Sequence, residues 1–83
     1  MVVRVRLFAA LRDAAGTAEE ELDAAPLPEL LDVLCRRHGA RFAQRLSVSS
    51  VLIDGSPTPR DAEVAVQDGA EVALLPPVSG GGL

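Results

Sequence analysis

The chain has no lysine, no tyrosine and no tryptophan, and it carries a single cysteine and a single histidine. All eight basic residues are arginines. Without lysine there is no side-chain amine to form a Schiff base, to serve as a base of depressed pKa, or to accept an isopeptide bond. One cysteine excludes an intramolecular disulfide and a cysteine-based metal site. The arginines are scattered, the formal net charge is −4, and Phe8 and Phe42 are the only phenylalanines. A nucleic-acid binder needs a basic stripe and stacking rings, so no nucleic-acid partner is expected. No apolar run approaches the roughly 18 residues that span a bilayer, and no membrane association is expected. The start, Met1-Val2-Val3-Arg4-Val5-Arg6, alternates valine with charge and lacks the apolar block of a signal peptide, which points to the cytoplasm. No P-loop, GxGxxG, HExxH or nucleophile elbow occurs.

What the chain does have is apolar mass and clear periodicity. Its 83 residues make one domain, and 48% of them are hydrophobic, enough for a packed core. Residues 2–8 read as a strand with Val3, Val5 and Leu7 on one face and Arg4 and Arg6 on the other. Ala9 to Ala15 is rich in helix formers and ends at Gly16. Residues 17–23 fit an exposed strand only weakly. Their acidic run, Glu19-Glu20-Glu21, reads as a solvated edge or as a surface for a basic partner.

The most secure element is a helix. Pro28 suits its first turn, where the missing N–H costs nothing, and Glu29 sits near the positive end. Leu27, Leu30, Leu31, Leu34 and Cys35 recur at helical spacing, which predicts Leu31 and Leu34 buried against a sheet. Arg36, Arg37 and His38 occupy the last turn and Gly39 the position beyond it. On this reading His38 is a capping cation and Cys35 a small buried hydrophobe. A short helix over Ala40 to Leu46 puts Phe42 and Leu46 one turn apart. Val48 to Asp54 reads as a strand and Asp54-Gly55 as a turn. Ser56 to Arg60, with two prolines, forms a short edge strand or loop. Gln67-Asp68-Gly69 is a further turn. Glu71 to Leu75 is nearly all apolar, which predicts a central strand buried on both faces. Pro76 and Pro77 end its pairing.

The predicted class is therefore α+β, with a mixed sheet wrapped around one main helix. No pair of carboxylates is pinned for acid–base work, so the domain is not expected to catalyse with its own side chains. The end of the chain is different. Three successive glycines, Gly80-Gly81-Gly82, add nothing to a core and are entropically expensive to order. Their advantage is narrowness, because a backbone without Cβ atoms can thread a tight channel in another protein.

Three segments carry a resemblance: Val5-Arg6-Leu7-Phe8-Ala9-Ala10-Leu11-Arg12, Val51-Leu52-Ile53-Asp54-Gly55, and Asp68-Gly69-Ala70-Glu71-Val72-Ala73-Leu74-Leu75-Pro76-Pro77-Val78-Ser79-Gly80-Gly81. Together they resemble the MoaD/ThiS family of ubiquitin-like sulfur carriers over essentially the whole chain. The first segment favours the molybdopterin branch over the thiazole-synthesis carriers. The resemblance implies a β-grasp fold over residues 1–78 and a Gly-rich tail over 79–83. It implies that an ATP-dependent E1-like enzyme of the MoeB/ThiF type adenylates the terminal glycine, which then becomes a thiocarboxylate. It further implies sulfur delivery within a complex with the MoaE-type large subunit of molybdopterin synthase. The chain itself would hold no cofactor, and ATP would be used by the activating partner. Phe8, Leu75, Pro76, Pro77 and Val78 would bind partners, and Ser79, Gly80, Gly81 and Gly82 would thread their active sites.

Two departures from the family pattern stand out. The usual Asn-Gly turn is Asp54-Gly55, and Ala70 replaces an acidic residue between Gly69 and Glu71; both still suit turns. Family members stop at a di-glycine, whereas here Gly82-Leu83 follow Gly81. Gly81 is then the reactive terminus after a protease trims the tail, with Gly82 as the alternative.

Overall fold

The β1 strand, Val2–Leu7, sets the architecture, because its alternation leaves Val3, Val5 and Leu7 buried and Val2, Arg4 and Arg6 exposed. In the computed structural model, which describes residues 1–76, it is followed by α1 (Ala9–Ala15), β2 (Glu19–Asp23), α2 (Leu27–His38), α3 (Ala40–Leu46), β3 (Ser50–Ile53), β4 (Ser56–Thr58) and β5 (Glu71–Leu75). The strands form one mixed sheet in the order β2-β1-β5-β3-β4. β1 and β5 run parallel at its centre, with Arg4 opposite Glu71 and Leu7 opposite Leu74. The other pairings, β1 with β2, β3 with β5 and β3 with β4, are antiparallel.

Local chemistry explains the helices. The φ of 79° at Gly16 ends α1 in a left-handed cap whose N–H bonds the Arg12 carbonyl. In α2, Pro28 occupies the first turn, the basic residues the last, and the Gly39 N–H bonds the Cys35 carbonyl. Leu27, Leu30, Leu31 and Leu34 are all buried. With Phe42 and Leu46 of α3, Leu11 of α1 and the inward residues of β1, β3 and β5, they form one core cluster. Beyond β4, residues 59–70 return to the sheet across the start of α2. There the Leu27 N–H bonds the Val64 carbonyl and Val66 is buried.

The hairpin between β3 and β4 has a two-residue loop, with Ile53 opposite Ser56. Asp54 (φ 49°) and Gly55 (φ 83°) both adopt the left-handed conformation that such a primed turn demands. Asp54 also ties this hairpin to the centre of the sheet. Its carboxylate accepts the Glu71 N–H at 3.0 Å while its own N–H donates to the Glu71 carbonyl at 2.8 Å.

Three details differ from the sequence reading. β3 begins at Ser50 rather than Val48, because the Val48 and Ser49 amides still bond carbonyls of the last turn of α3 and Val48 projects to solvent. The strand at the start ends at Leu7, since Phe8 already serves as the N-cap of α1. β5 is central as expected but is not buried on both faces. Val72 and Leu74 are buried, whereas Glu71, Ala73 and Leu75 are only half-buried, because the core cluster lies on one side of the sheet.

Leu34 is fully buried and Val33, one residue earlier, is 38% exposed. Leu34→Ala is expected to lower unfolding stability by about 2–5 kcal/mol. Val33→Ala is expected to stay within about 0.5 kcal/mol of the parent. Urea denaturation of the two variants checks the helix register.

Candidate functional site

The face of the sheet opposite the core carries residues that pairing brings together from four strands. Register places Arg6 beside Ala73, Ala73 beside Leu52, and Leu52 beside Pro57. One step along, Leu75 lies opposite Ser50, and the Phe8 N–H bonds the Leu74 carbonyl at 3.3 Å. Phe8, Leu52, Ala73, Leu75 and Pro76 are all half-buried. Phe8, Leu52, Ala73 and Leu75 make an apolar patch on the outer face, and Pro76 follows directly where the chain leaves the sheet centre. The patch is bordered by ion pairs: Arg4 with Glu19 and Glu21 across β1–β2, and Arg6 with Glu71 across β1–β5.

Of the expected partner-binding residues, Phe8 and Leu75 sit on this face, and Pro76 is the next residue after Leu75. Pro77 and Val78, and the tail residues Ser79, Gly80, Gly81 and Gly82, lie outside the described residues. Sequence reasoning missed Leu52, Ala73 and Arg6 as members of this face. A signal existed, since Arg6 alternates with the buried Val5 and Leu7, and Leu52 with Val51 and Ile53. The register that unites them is set only by strand pairing.

The reactive side chains elsewhere are occupied. His38 does not cap carbonyls. Its Nε2 pairs with Glu20 Oε2, its ring packs 5.0 Å from that of Phe42, and Arg37 bonds the other Glu20 oxygen at 2.6 Å. Glu20 thus turns inward from β2 and fastens this edge strand to the end of α2, while Glu19 and Glu21 stay exposed beside Arg4. The acidic run is an ion-paired edge. Cys35 is half-buried rather than fully buried and packs against the core cluster. Burial pushes its thiol pKa up and the neighbouring Asp32 carboxylate adds to the shift, so at neutral pH it is a protonated, poorly nucleophilic thiol. Among the described residues no group of three His, Cys, Asp or Glu side chains is placed to hold a metal ion. None of the described helices is long and apolar enough to cross a membrane.

A five-stranded mixed sheet closed over one main helix, with the first and last strands side by side, is the β-grasp architecture of ubiquitin-like carriers. The sequence matches the ThiS family over residues 5–81, and the chain belongs to that family. It is 34% identical to a molybdopterin synthase sulfur carrier subunit from Chlamydomonas reinhardtii, over 98% of this chain and 100% of that protein. Its fold superimposes on SAMP1 from Haloferax volcanii with a TM-score of 0.80 at 28% identity, over 96% of this chain and 99% of that one. It also superimposes on a chain in the complex of subunits 1 and 2 of the molybdopterin-converting factor from Helicobacter pylori, with a TM-score of 0.75 at 25% identity, over 96% and 99% of the two chains.

The raised Cys35 pKa fixes the sign of a pH effect. Because the folded value exceeds the unfolded one, the contribution to stability is complete below the unfolded thiol's pKa and is lost as pH rises through the folded value. Iodoacetamide is therefore expected to alkylate native Cys35 more slowly at pH 8.5 than the urea-unfolded chain. Asp32→Asn is expected to speed the native reaction by removing one cause of the shift. Equal native and unfolded rates would contradict the assignment.

Proposed function

We propose that this chain works as the sulfur carrier subunit of a molybdopterin synthase. The observation that carries the reading is its full-length similarity to a protein of that name, together with a family match that runs to Gly81. The chemistry follows from the end of the chain. A glycine carboxylate is a poor electrophile, ionised at neutral pH. An E1-like enzyme of the MoeB/ThiF type joins it to the α-phosphate of ATP, and pyrophosphate leaves. A sulfur nucleophile attacks the resulting acyl adenylate, AMP leaves, and the product is a thiocarboxylate on Gly81. The MoaE-type large subunit docks on the outer face at Phe8, Leu75 and Pro76, with Pro77 and Val78 continuing that contact. Ser79 and Gly80 thread its active site. There the thiocarboxylate gives up sulfur to cyclic pyranopterin monophosphate, and two such transfers build the dithiolene that binds molybdenum. Acid–base groups come from the partner, consistent with the occupied states of Cys35 and His38 described above.

A second reading, protein modification, is favoured by the likeness to the Haloferax volcanii small archaeal modifier protein 1. Its product would be an amide bond between the terminal glycine and another protein's amine. Carriers for other thiolation pathways, such as thiamine thiazole, cysteine or tRNA thiolation, share the same activation step and differ in the acceptor.

Incubation with an E1-like enzyme, ATP and a sulfur source is expected to raise the mass of the chain by the difference between sulfur and oxygen. A variant lacking residues 80–83 is expected to show no gain and not to restore dithiolene formation in cells without the native gene. Covalent adducts to other proteins without any thiocarboxylate would favour the modifier reading.

The tail also requires a processing step on this reading, because Leu83 puts a side chain where the adenylating pocket accepts glycine. A protease removes Gly82-Leu83 and leaves Gly81 as the terminus. Intact mass of the protein isolated from its native host is expected to show a chain ending at Gly81; a thiocarboxylate on full-length chain would overturn trimming.

A further inference from the structure

Phe8 is fixed in place by three independent features, and only one of them is a side chain. The residue after it, Ala9, has φ of 51°, a left-handed conformation that is strained for any residue but glycine. That turn redirects the chain from β1 into α1 directly after the ring. The Phe8 backbone is held on both sides, its N–H bonding the Leu74 carbonyl and its carbonyl accepting the Leu11 N–H at 3.1 Å. The third feature is Arg6. Its guanidinium lies 5.8 Å from the centroid of the Phe8 ring, within cation–π range, and its Nη1 donates to Glu71 Oε2 at 3.3 Å. Glu71 is itself fixed, because its N–H and carbonyl both bond Asp54. The chain of contacts therefore runs from the β3–β4 turn through Glu71 and Arg6 to the ring.

An exposed Arg–Glu pair contributes little to stability. Backbone strain that the surrounding structure holds in place tends to sit at functional sites. Here strain and ion pair converge on one half-buried ring where the apolar patch meets its charged border. Locking a rotamer before docking removes an entropic cost from association, and an aromatic anchor is the kind of residue whose orientation governs affinity.

We propose that Arg6, held by Glu71, is a positioning residue that fixes the Phe8 ring in its docking orientation and so sets affinity for the large subunit. This rests on the assignment of the outer face to that partner, given above.

Two measurements test it. NMR of the free chain reads the Phe8 χ1 couplings and the ring-current shift on the Arg6 side-chain protons. In the parent, Phe8 is expected to hold one rotamer, and in Arg6→Ala and Glu71→Gln to average between rotamers; unchanged couplings overturn the proposal whether or not a partner binds. Calorimetric titration with the purified large subunit supplies the second. Arg6→Ala is expected to weaken binding about two- to fivefold, matching one exposed cation–π contact. It is expected to have no effect in a Phe8→Leu background. Equal losses in both backgrounds would mean that Arg6 touches the partner directly, which also overturns the proposal. Arg36→Ala, on the exposed side of α2 beside Asp32, controls for a general change of charge. Absence of binding by the parent chain would refute the partner assignment instead, leaving the NMR result to decide the role of Arg6.

Discussion

The parallel pairing of β1 with β5 is the constraint on which the rest of the molecule depends. Two parallel neighbours cannot be joined by a tight turn, so everything between Leu7 and Glu71 must cross from one end of the sheet to the other. That intervening chain supplies the helices that bury Val3, Val5, Val72 and Leu74, and the strands that flank the pair. The same pairing puts the first and last strands at the sheet centre. The chain therefore leaves the sheet from the end of its central strand, next to Phe8, and not from an edge strand. A terminus that has to enter another protein's active site gains from such an exit, because the surface around it is rigid and can be recognised.

Much of this was legible from local signals, and the failures have a common cause. β1, α2 and the Asp54-Gly55 turn are encoded by residues close in sequence: the Val-Arg alternation, the leucine spacing, and a dipeptide that tolerates positive φ. β2 was faint because its stabilising partners come from elsewhere. Glu20 turns inward only because His38 and Arg37 arrive from α2. The over-reading of β5 is more instructive. An apolar run from Val72 to Leu75 fits a strand covered on both faces, and it equally fits a strand with one face in the core and one reserved for a partner. Composition cannot separate these cases; only the position of the helices can. On the proposed function, the half-buried side of β5 is the side that meets the partner. Leu52, Ala73 and Arg6 escape a sequence reading for the same reason, since Ala73, the neighbour that joins Leu52 to Arg6, is distant in sequence from both and is brought close by register alone.

The charge distribution fits this division between body and tail. Four of the arginines pair with carboxylates across strands or along helices: Arg4 with Glu19 and Glu21, Arg6 with Glu71, Arg36 with Asp32, and Arg37 with Glu20. Each exposed pair contributes little energy. The pairs made by Arg4 and Arg6 put charge beside the apolar residues of the outer face, an arrangement that resembles the apolar centre and polar rim of protein–protein interfaces. The one partly buried ionic cluster, Glu20 with His38 and Arg37, lies at the β2 edge, where it serves the fold.

The geometry also limits where a partner's chemistry can occur. Gly81 is the sixth residue after Leu75, and a fully extended chain of six residues reaches about 20 Å. A partner that holds the outer face must therefore present its reactive centre within that radius of Leu75. Glycines alone make too few contacts to offset the entropy of ordering themselves in a channel. On the proposed function, the apolar patch would resolve the conflict by supplying affinity at a site where no chemistry takes place. Once the body is docked, entry of the tail becomes an intramolecular step with a high effective concentration. On that reading tail and face form one functional unit, and the rigidity of a ring on the face would bear on a reaction at the far end of the chain.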